Sequence, residues 1–166
     1  MTYLIHRFIA KDINEDNDTE FEYKTTLNIE GQNYEVEILD PTGEEDYHSM
    51  MDVQISNAEG FLLVFAINDK ESFSYIEGKH DRIVKVKEGE KCPILLVGNK
   101  QDLENKRQVT YDEAKAKADS WGIEYMETSA NTNYNCKEAL EKLVREIVVK
   151  KNSNDSDSGC PCCNIM

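Results

Sequence analysis

The sequence predicts an α/β fold, a mostly parallel sheet with helices on both faces. Three observations carry it. Two continuous apolar runs, FLLVFAI (61–67) and PILLVGN (93–99), have the composition of strands buried on both sides. Helical patterns follow each of them, over 69–87 and 111–121. A third strand pattern, IEYMETS (123–129), leads into a strongly amphipathic stretch, 135–151. The resulting β-α-β-α-β-α order from residue 60 onward is what a parallel sheet covered by helices produces.

TYLIHRFIA (2–10) reads as a short helix or the end of one. FEYKTTLNIE (21–30) and NYEVEILD (33–40) alternate polar and apolar residues, and Gly31-Gln32 is the expected turn of a hairpin between them. Residues 44–54 read as helical, with Met50, Met51 and Val53 apolar. In the last helix Leu140, Leu143, Val144, Ile147 and Val148 form the inward stripe. NSNDSDSG (152–159) is small and polar, which predicts a flexible segment. The expected organisation is one domain, 1–150, followed by a flexible tail, 151–166. No internal repeat is visible.

A chain of 166 residues with 39% hydrophobic and 31% charged residues suits a single globular domain with a real core. No run approaches the length of a membrane span, and the acidic turn after residue 11 is unlike a secretory signal. The formal net charge of −14 sets the protein against nucleic-acid phosphates, so no nucleic-acid partner is expected. Asp12, Asn14, Asp16 and Asp18 have the alternate spacing of a calcium loop, but Asn17 and Tyr23 stand where that loop needs glycine and glutamate. A solvated acidic loop is the reading that remains. Five cysteines without a framework spacing suggest a reducing compartment.

Three candidate sites fall at the carboxyl ends of strands, where open α/β sheets bind ligands. ILDPTGEEDY (38–47) runs from a strand into Asp40, then Pro41-Thr42-Gly43 and the acids that start at Glu44. VGNKQD (97–102) ends a buried strand. The carboxylate of Asp102 can accept two parallel N–H donors from a flat base edge such as guanine's. Asn99 can tie loops together, and the stem of Lys100 can lie over a ring. The plain alternative is a polar loop with Asn99 as a helix cap. TSAN (128–131) ends the next strand, with the Ala130 N–H able to meet a base carbonyl and Ser129 able to brace the Asp102 loop.

These segments, together with GFLLVFAI, YMETSA and LVREI in their order and spacing, resemble a Ras-family small GTPase from about residue 18 to 150. The resemblance implies a P-loop NTPase-like fold that binds GTP or GDP with Mg²⁺ and signals by ordering two loops around the γ-phosphate. Asp40, Pro41, Thr42, Gly43 and Glu44 would form the second switch, with Asp40 toward the metal and Glu44 in the catalytic place. Asn99, Lys100, Gln101 and Asp102 would read the base, supported by Ser129 and Ala130. Thr19, Glu20, Phe21, Glu22 and Tyr23 would face effectors, through the 21–30 edge strand. Either Thr19 or Asp18 would hold the place of the family's Mg²⁺-binding threonine.

The departures from the family pattern are specific. No glycine precedes Gly31, so residues 1–30 hold no G-x-x-x-x-G-K-[ST] phosphate cradle. Residues 1–10 resemble the end of the helix that follows it, so the chain reads as truncated at its N-terminus, without the first strand and the P-loop. That strand lies, in the family, between the hairpin and the FLLVFAI strand. Its loss predicts either a gapped sheet or direct pairing of 34–39 with 61–66. Glu44 replaces a water-orienting glutamine with a group that only accepts hydrogen bonds and repels phosphate. Pro41 replaces a small hydroxyl residue, and Asn131 replaces a lysine.

The final CNIM also fits the family. Cys163 has the place of a prenylated cysteine, with a terminal Met that favours farnesyl and the carboxyl methylation that accompanies it. One lipid holds a membrane only marginally. Cys160 and Cys162 are the candidate palmitoylation sites that would supply the second anchor. The expected location is the cytoplasmic face of a membrane, in particular the plasma membrane. Two functions are expected. One is a membrane-anchored GTP switch. The other is a nucleotide-free Ras-like module, or an inactive product, since most nucleotide affinity in such folds comes from the phosphates.

Overall fold

A computed structural model describes residues 22–40, 48–154 and 162–166 of the chain. The expected helix at 2–10 lies outside these residues, as does the acidic window from Asp12 to Glu22 except for Glu22 itself. The hairpin is present as β1 (Glu22–Ile29) and β2 (Gln32–Leu39), paired antiparallel. Its turn is Glu30-Gly31, one residue earlier than expected, because Ile29 pairs directly with Gln32. Both turn residues have positive φ, 54° and 86°, as a two-residue loop that follows the strand twist demands. Asn28 supports the turn by accepting from Gly31 N at 3.2 Å and donating to Asn33 at 2.7 Å.

Helix α1 (His48–Asn57) leads to β3 (Phe61–Ala66), α2 (Lys70–Val86) and β4 (Ile94–Asn99). A short 3-10 segment (Gln101–Lys106), α3 (Tyr111–Trp121), β5 (Glu124–Glu127) and α4 (Cys136–Asn154) follow. Helix starts are fixed by side chains. Asp69 caps α2 by accepting from Glu71 N and Ser72 N, and Thr110 caps α3 by accepting from Glu113 N. Gly122, at φ 69°, ends α3.

Strands β3, β4 and β5 are parallel neighbours, and their alternation separates two cores. Leu62, Leu95 and Val97 face α4 residues such as Leu140, Leu143 and Ile147. Phe61, Leu63, Phe65, Ile94 and Leu96 face the other side, with Ile55, Ile76, Ile83, Ala114 and Ala118 of α1, α2 and α3. Helices therefore cover both faces, as the two continuous apolar runs require. At Gly60 the approach of α4 leaves no room for a side chain, since an added Cβ would lie 2.7 Å from Ile147 Cδ1.

The expected gap or direct β2–β3 pairing does not occur. A further strand, β6 (Cys162–Ile165), occupies the space between them. It pairs parallel to β2, from Glu35↔Cys162 to Ile38↔Ile165. On its other side Gly60 bridges Ile165 in parallel. Glu59 N donates to Asn164 O at 2.7 Å, Met166 N to Gly60 O at 3.0 Å, and Leu62 N to Met166 O at 2.7 Å. Two three-stranded sheets, β1-β2-β6 and β3-β4-β5, are thus joined edge to edge through residues 59–62 and 164–166, which gives the order β1-β2-β6-β3-β4-β5. The segment expected to be a flexible tail instead ends in a buried strand. Cys163 and Ile165 enter the core beneath α4, and Met166 enters the opposite one. An open slot would leave dry backbone groups and an apolar hole, and the alternation of CCNIM satisfies both.

Candidate functional site

Because β2, β6, β3, β4 and β5 run parallel, their carboxyl ends share one edge of the sheet. Asp40 follows β2, Asn99 ends β4 and Ser129 lies just beyond β5. The edge therefore carries all three candidate sites. The structure brings Asn99, Asp102, Ser129 and Ala130 into one hydrogen-bonded cluster.

Asn99 Oδ1 accepts from Ala130 N at 3.2 Å and from Thr128 Oγ1 at 3.4 Å. One side chain thereby ties the loops after β4 and β5. Gln101 N donates to Thr128 O at 3.0 Å, and Thr128 N donates to Gly98 O at 2.9 Å, which adds two backbone ties. Lys100 stands at φ 65°, ψ 35°, a left-handed turn that carries the chain from strand to 3-10 segment and leaves the lysine exposed. Strand β5 stops at Glu127, shorter than the expected 123–129, because Thr128 and Ser129 turn their bonds to these loops.

Asp102 is the one carboxylate in the cluster. Ser129 Oγ donates to its Oδ1 at 2.5 Å, and Asn131 Nδ2 donates to its Oδ2 at 3.2 Å. Ser129 is buried and also accepts from Thr132 N at 3.1 Å, so its hydroxyl is directed at Asp102. The bond from Ser129, helped by that from Asn131 and by the nearby Lys100, holds the Asp102 carboxyl below its usual range. The group is charged at neutral pH and exposed to solvent. Such a carboxylate can accept paired N–H donors from a planar base once Asn131 gives way. The arrangement fits the base of a guanine nucleotide.

Asp40 is buried, at 4% exposure, where β2 ends. Tyr23 lies on the neighbouring strand, and burial first, then the Asp40 charge, raise its phenol pKa above the ordinary value. Pro41, Thr42, Gly43 and Glu44 lie outside the described residues, as do Thr19, Glu20 and Phe21. Glu22 and Tyr23 belong to β1, which is terminal in the described sheet. Among the described residues no three His, Cys, Asp or Glu side chains converge to hold a metal. Cys160 is outside the described residues, Cys162 starts β6 and Cys163 is 1% exposed. Among the described residues no helix is long and apolar enough to cross a membrane.

Two groups that brace the site were not singled out in the sequence. Arg107 bonds Glu127 through Nη1 at 2.7 Å and Nη2 at 2.9 Å, and it also reaches Glu104. It thereby locks the end of the 3-10 segment to β5. Glu127, then Glu104, raise the Arg107 pKa further, so it is a permanent cation. Gly98 admits the Tyr125 ring, whose hydroxyl an added Cβ would strike. Burial first, then its bond to Glu127, raise the Tyr125 pKa strongly. A lone Arg in KRQV and a Gly in a strand carry little local signal; only the contacts reveal their roles.

Comparison with known proteins agrees with this geometry. The Ras family model matches residues 1–149. Ras-related protein ralB-A of Xenopus laevis is 44% identical over 136 residues, which cover 81% of this chain and 66% of that protein. Ras-related protein Ral-B of Mus musculus is 44% identical and Ras-related protein O-RAL of Diplobatis ommata 43% identical, with the same coverage. The chain spans just under two thirds of the length of these curated relatives. It belongs to the Ras family.

Proposed function

We propose that residues 1–166 act as a lipid-anchored Ras-type binding module that keeps the base-reading end of a GTP switch but holds GTP weakly. The observation that carries this reading is the Asn99–Asp102–Ser129–Ala130 cluster. It presents a charged carboxylate at the family's base-binding edge, with Asn131 bonded across it. When bound, GTP with Mg²⁺ would supply the phosphate charge that orders the switch loops. The residues that would meet its base are Asn99, Lys100, Gln101, Asp102, Ser129 and Ala130. The described candidate at the phosphate end is Asp40, and an acid there repels polyphosphate without a cation. No hydrolytic step is therefore assigned, and Glu44 is left without a catalytic role.

The module would contact effectors or regulators through β1, whose outer edge suits strand addition. It would be held at the cytoplasmic face of the plasma membrane by a prenyl group on Cys163, reinforced by acyl groups on Cys160 and Cys162. Fluorescent GTP titrated into the purified protein with Mg²⁺ tests the nucleotide reading. No saturable binding at micromolar concentration is expected. Stoichiometric GDP in the purified protein, by mass spectrometry, would instead establish a conventional switch.

A further inference from the structure

We propose that the β6 strand gates its own lipid modification: docking of residues 162–166 in the sheet and attachment of a lipid to Cys163 exclude one another. The proposal rests on the reading of Cys163 as the prenyl acceptor. The geometry that carries it is independent of that reading. β6 is bonded along both sides, to β2 through its ladder and to residues 59–62 through three backbone bonds. Glu59 adds a fourth tie on that second side, its Oε2 accepting from Asn164 N at 3.0 Å. Cys163 is 1% exposed and Ile165 0%, in one apolar cluster with Val36, Ile38, Leu62 and Leu143.

Prenyl transfer needs the opposite arrangement. The Cys163 thiolate must attack C1 of an allylic polyprenyl diphosphate. The C–S bond forms as the C–O bond to diphosphate breaks. Pyrophosphate leaves with the electron pair, and the thiol proton passes to solvent. A sulfur beneath α4 cannot reach that carbon, and a polyisoprenyl chain on it cannot re-enter a close-packed core. The tail must therefore leave the sheet before it is modified, and it stays out afterward.

The test uses the full chain with Cys160→Ser and Cys162→Ser, so that Cys163 is the one tail thiol. Maleimide labelling is read peptide by peptide, with buried Cys136 as the reporter of global opening. Cys163 should label about a hundredfold more slowly in the folded protein than in urea, because it reacts only through local opening. Glu59→Ala removes the acceptor for Asn164 N and should raise the Cys163 rate about tenfold without changing that of Cys136. Glu59→Gln, which keeps a neutral acceptor, should restore part of the protection.

Radiolabel from farnesyl diphosphate, transferred by purified farnesyltransferase, should enter Glu59→Ala faster than the parent by the same factor. Equal Cys163 labelling in folded and unfolded protein would overturn the docked state. Unequal thiol rates with equal prenylation rates would overturn the gate. No prenyl incorporation in either chain would refute the lipid reading, and the gate with it, while the thiol rates would still report docking.

Discussion

Ile165→Ala measures how much the docked tail contributes to the fold. Ile165 is fully buried in the core beneath α4. Removing its outer carbons forfeits transfer free energy and leaves a cavity, which costs about 2–5 kcal/mol at buried sites. Against a domain stability of about 5–15 kcal/mol, that is a large fraction. With a urea slope of about 2 kcal/mol/M, a loss of about 3 kcal/mol lowers the midpoint by about 1.5 M. One physical limit applies. If docking of 162–166 is worth less than the cavity, the altered tail leaves the sheet and the loss equals the docking free energy. The slope then falls too, because the native state already exposes part of the surface. Urea unfolding followed by far-UV circular dichroism reads both quantities. A loss under about 0.5 kcal/mol, the range of an ordinary surface substitution, with an unchanged slope would refute the docked strand.

Other consequences are as specific. Arg107→Ala leaves the mostly buried Glu127 carboxylate without its cation, with the Tyr125 hydroxyl still donating to it, and should cost about 3 kcal/mol in the same urea assay. Ser129→Ala removes the largest influence on Asp102, so its carboxyl should titrate closer to the ordinary aspartate value by NMR. The sign follows from that lowered pKa. The Asp102 contribution to stability is complete above its unfolded value of about 3.9 and is lost as pH falls through the folded one, so Ser129→Ala should flatten the acid limb of the pH–stability profile. Glu30→Asn places a residue that tolerates positive φ in the hairpin turn and should raise the thermal midpoint, through a gain of about 0.5–1 kcal/mol.

Most of the parallel half of the sheet was legible because its strands carry two-sided apolar runs that few other structures use. Asn99, Asp102 and Ser129 could be grouped because each lies at or just past the carboxyl end of a strand in the parallel half. The hairpin turn was misplaced by one residue because Glu30 gives no hint that it will adopt positive φ, and Gly31 serves as well at either turn position. The α4 helix runs to Asn154, past the expected 151, since Asn and Ser mark helix ends only weakly. The β6 strand was missed for a different reason. Cys163 and Ile165 do alternate with Asn164, but four residues after a polar segment carry no detectable period. What makes them a strand is the slot between β2 and β3, a property of the whole sheet.

That slot also sets the distance between the two ends of the candidate site. Neighbouring strands lie about 4.8 Å apart, so β6 holds β2 and β3 roughly 10 Å from each other. Asp40 follows β2 on one side of this spacer, while Asn99, Asp102 and Ser129 lie beyond β3 on the other. When the tail leaves, Leu62 N and Glu59 N lose their acceptors, each worth about 1–3 kcal/mol if left dry. Closure of β2 onto β3, or entry of water, must follow. Either response displaces Asp40 but leaves the β4–β5 loops bonded as before. Amide chemical shifts should therefore move in residues 33–40 and 59–62 of Glu59→Ala and stay fixed in residues 98–102 and 128–131. Shifts of equal size in the second group would mean that the β4–β5 loops are not mechanically separate from the tail.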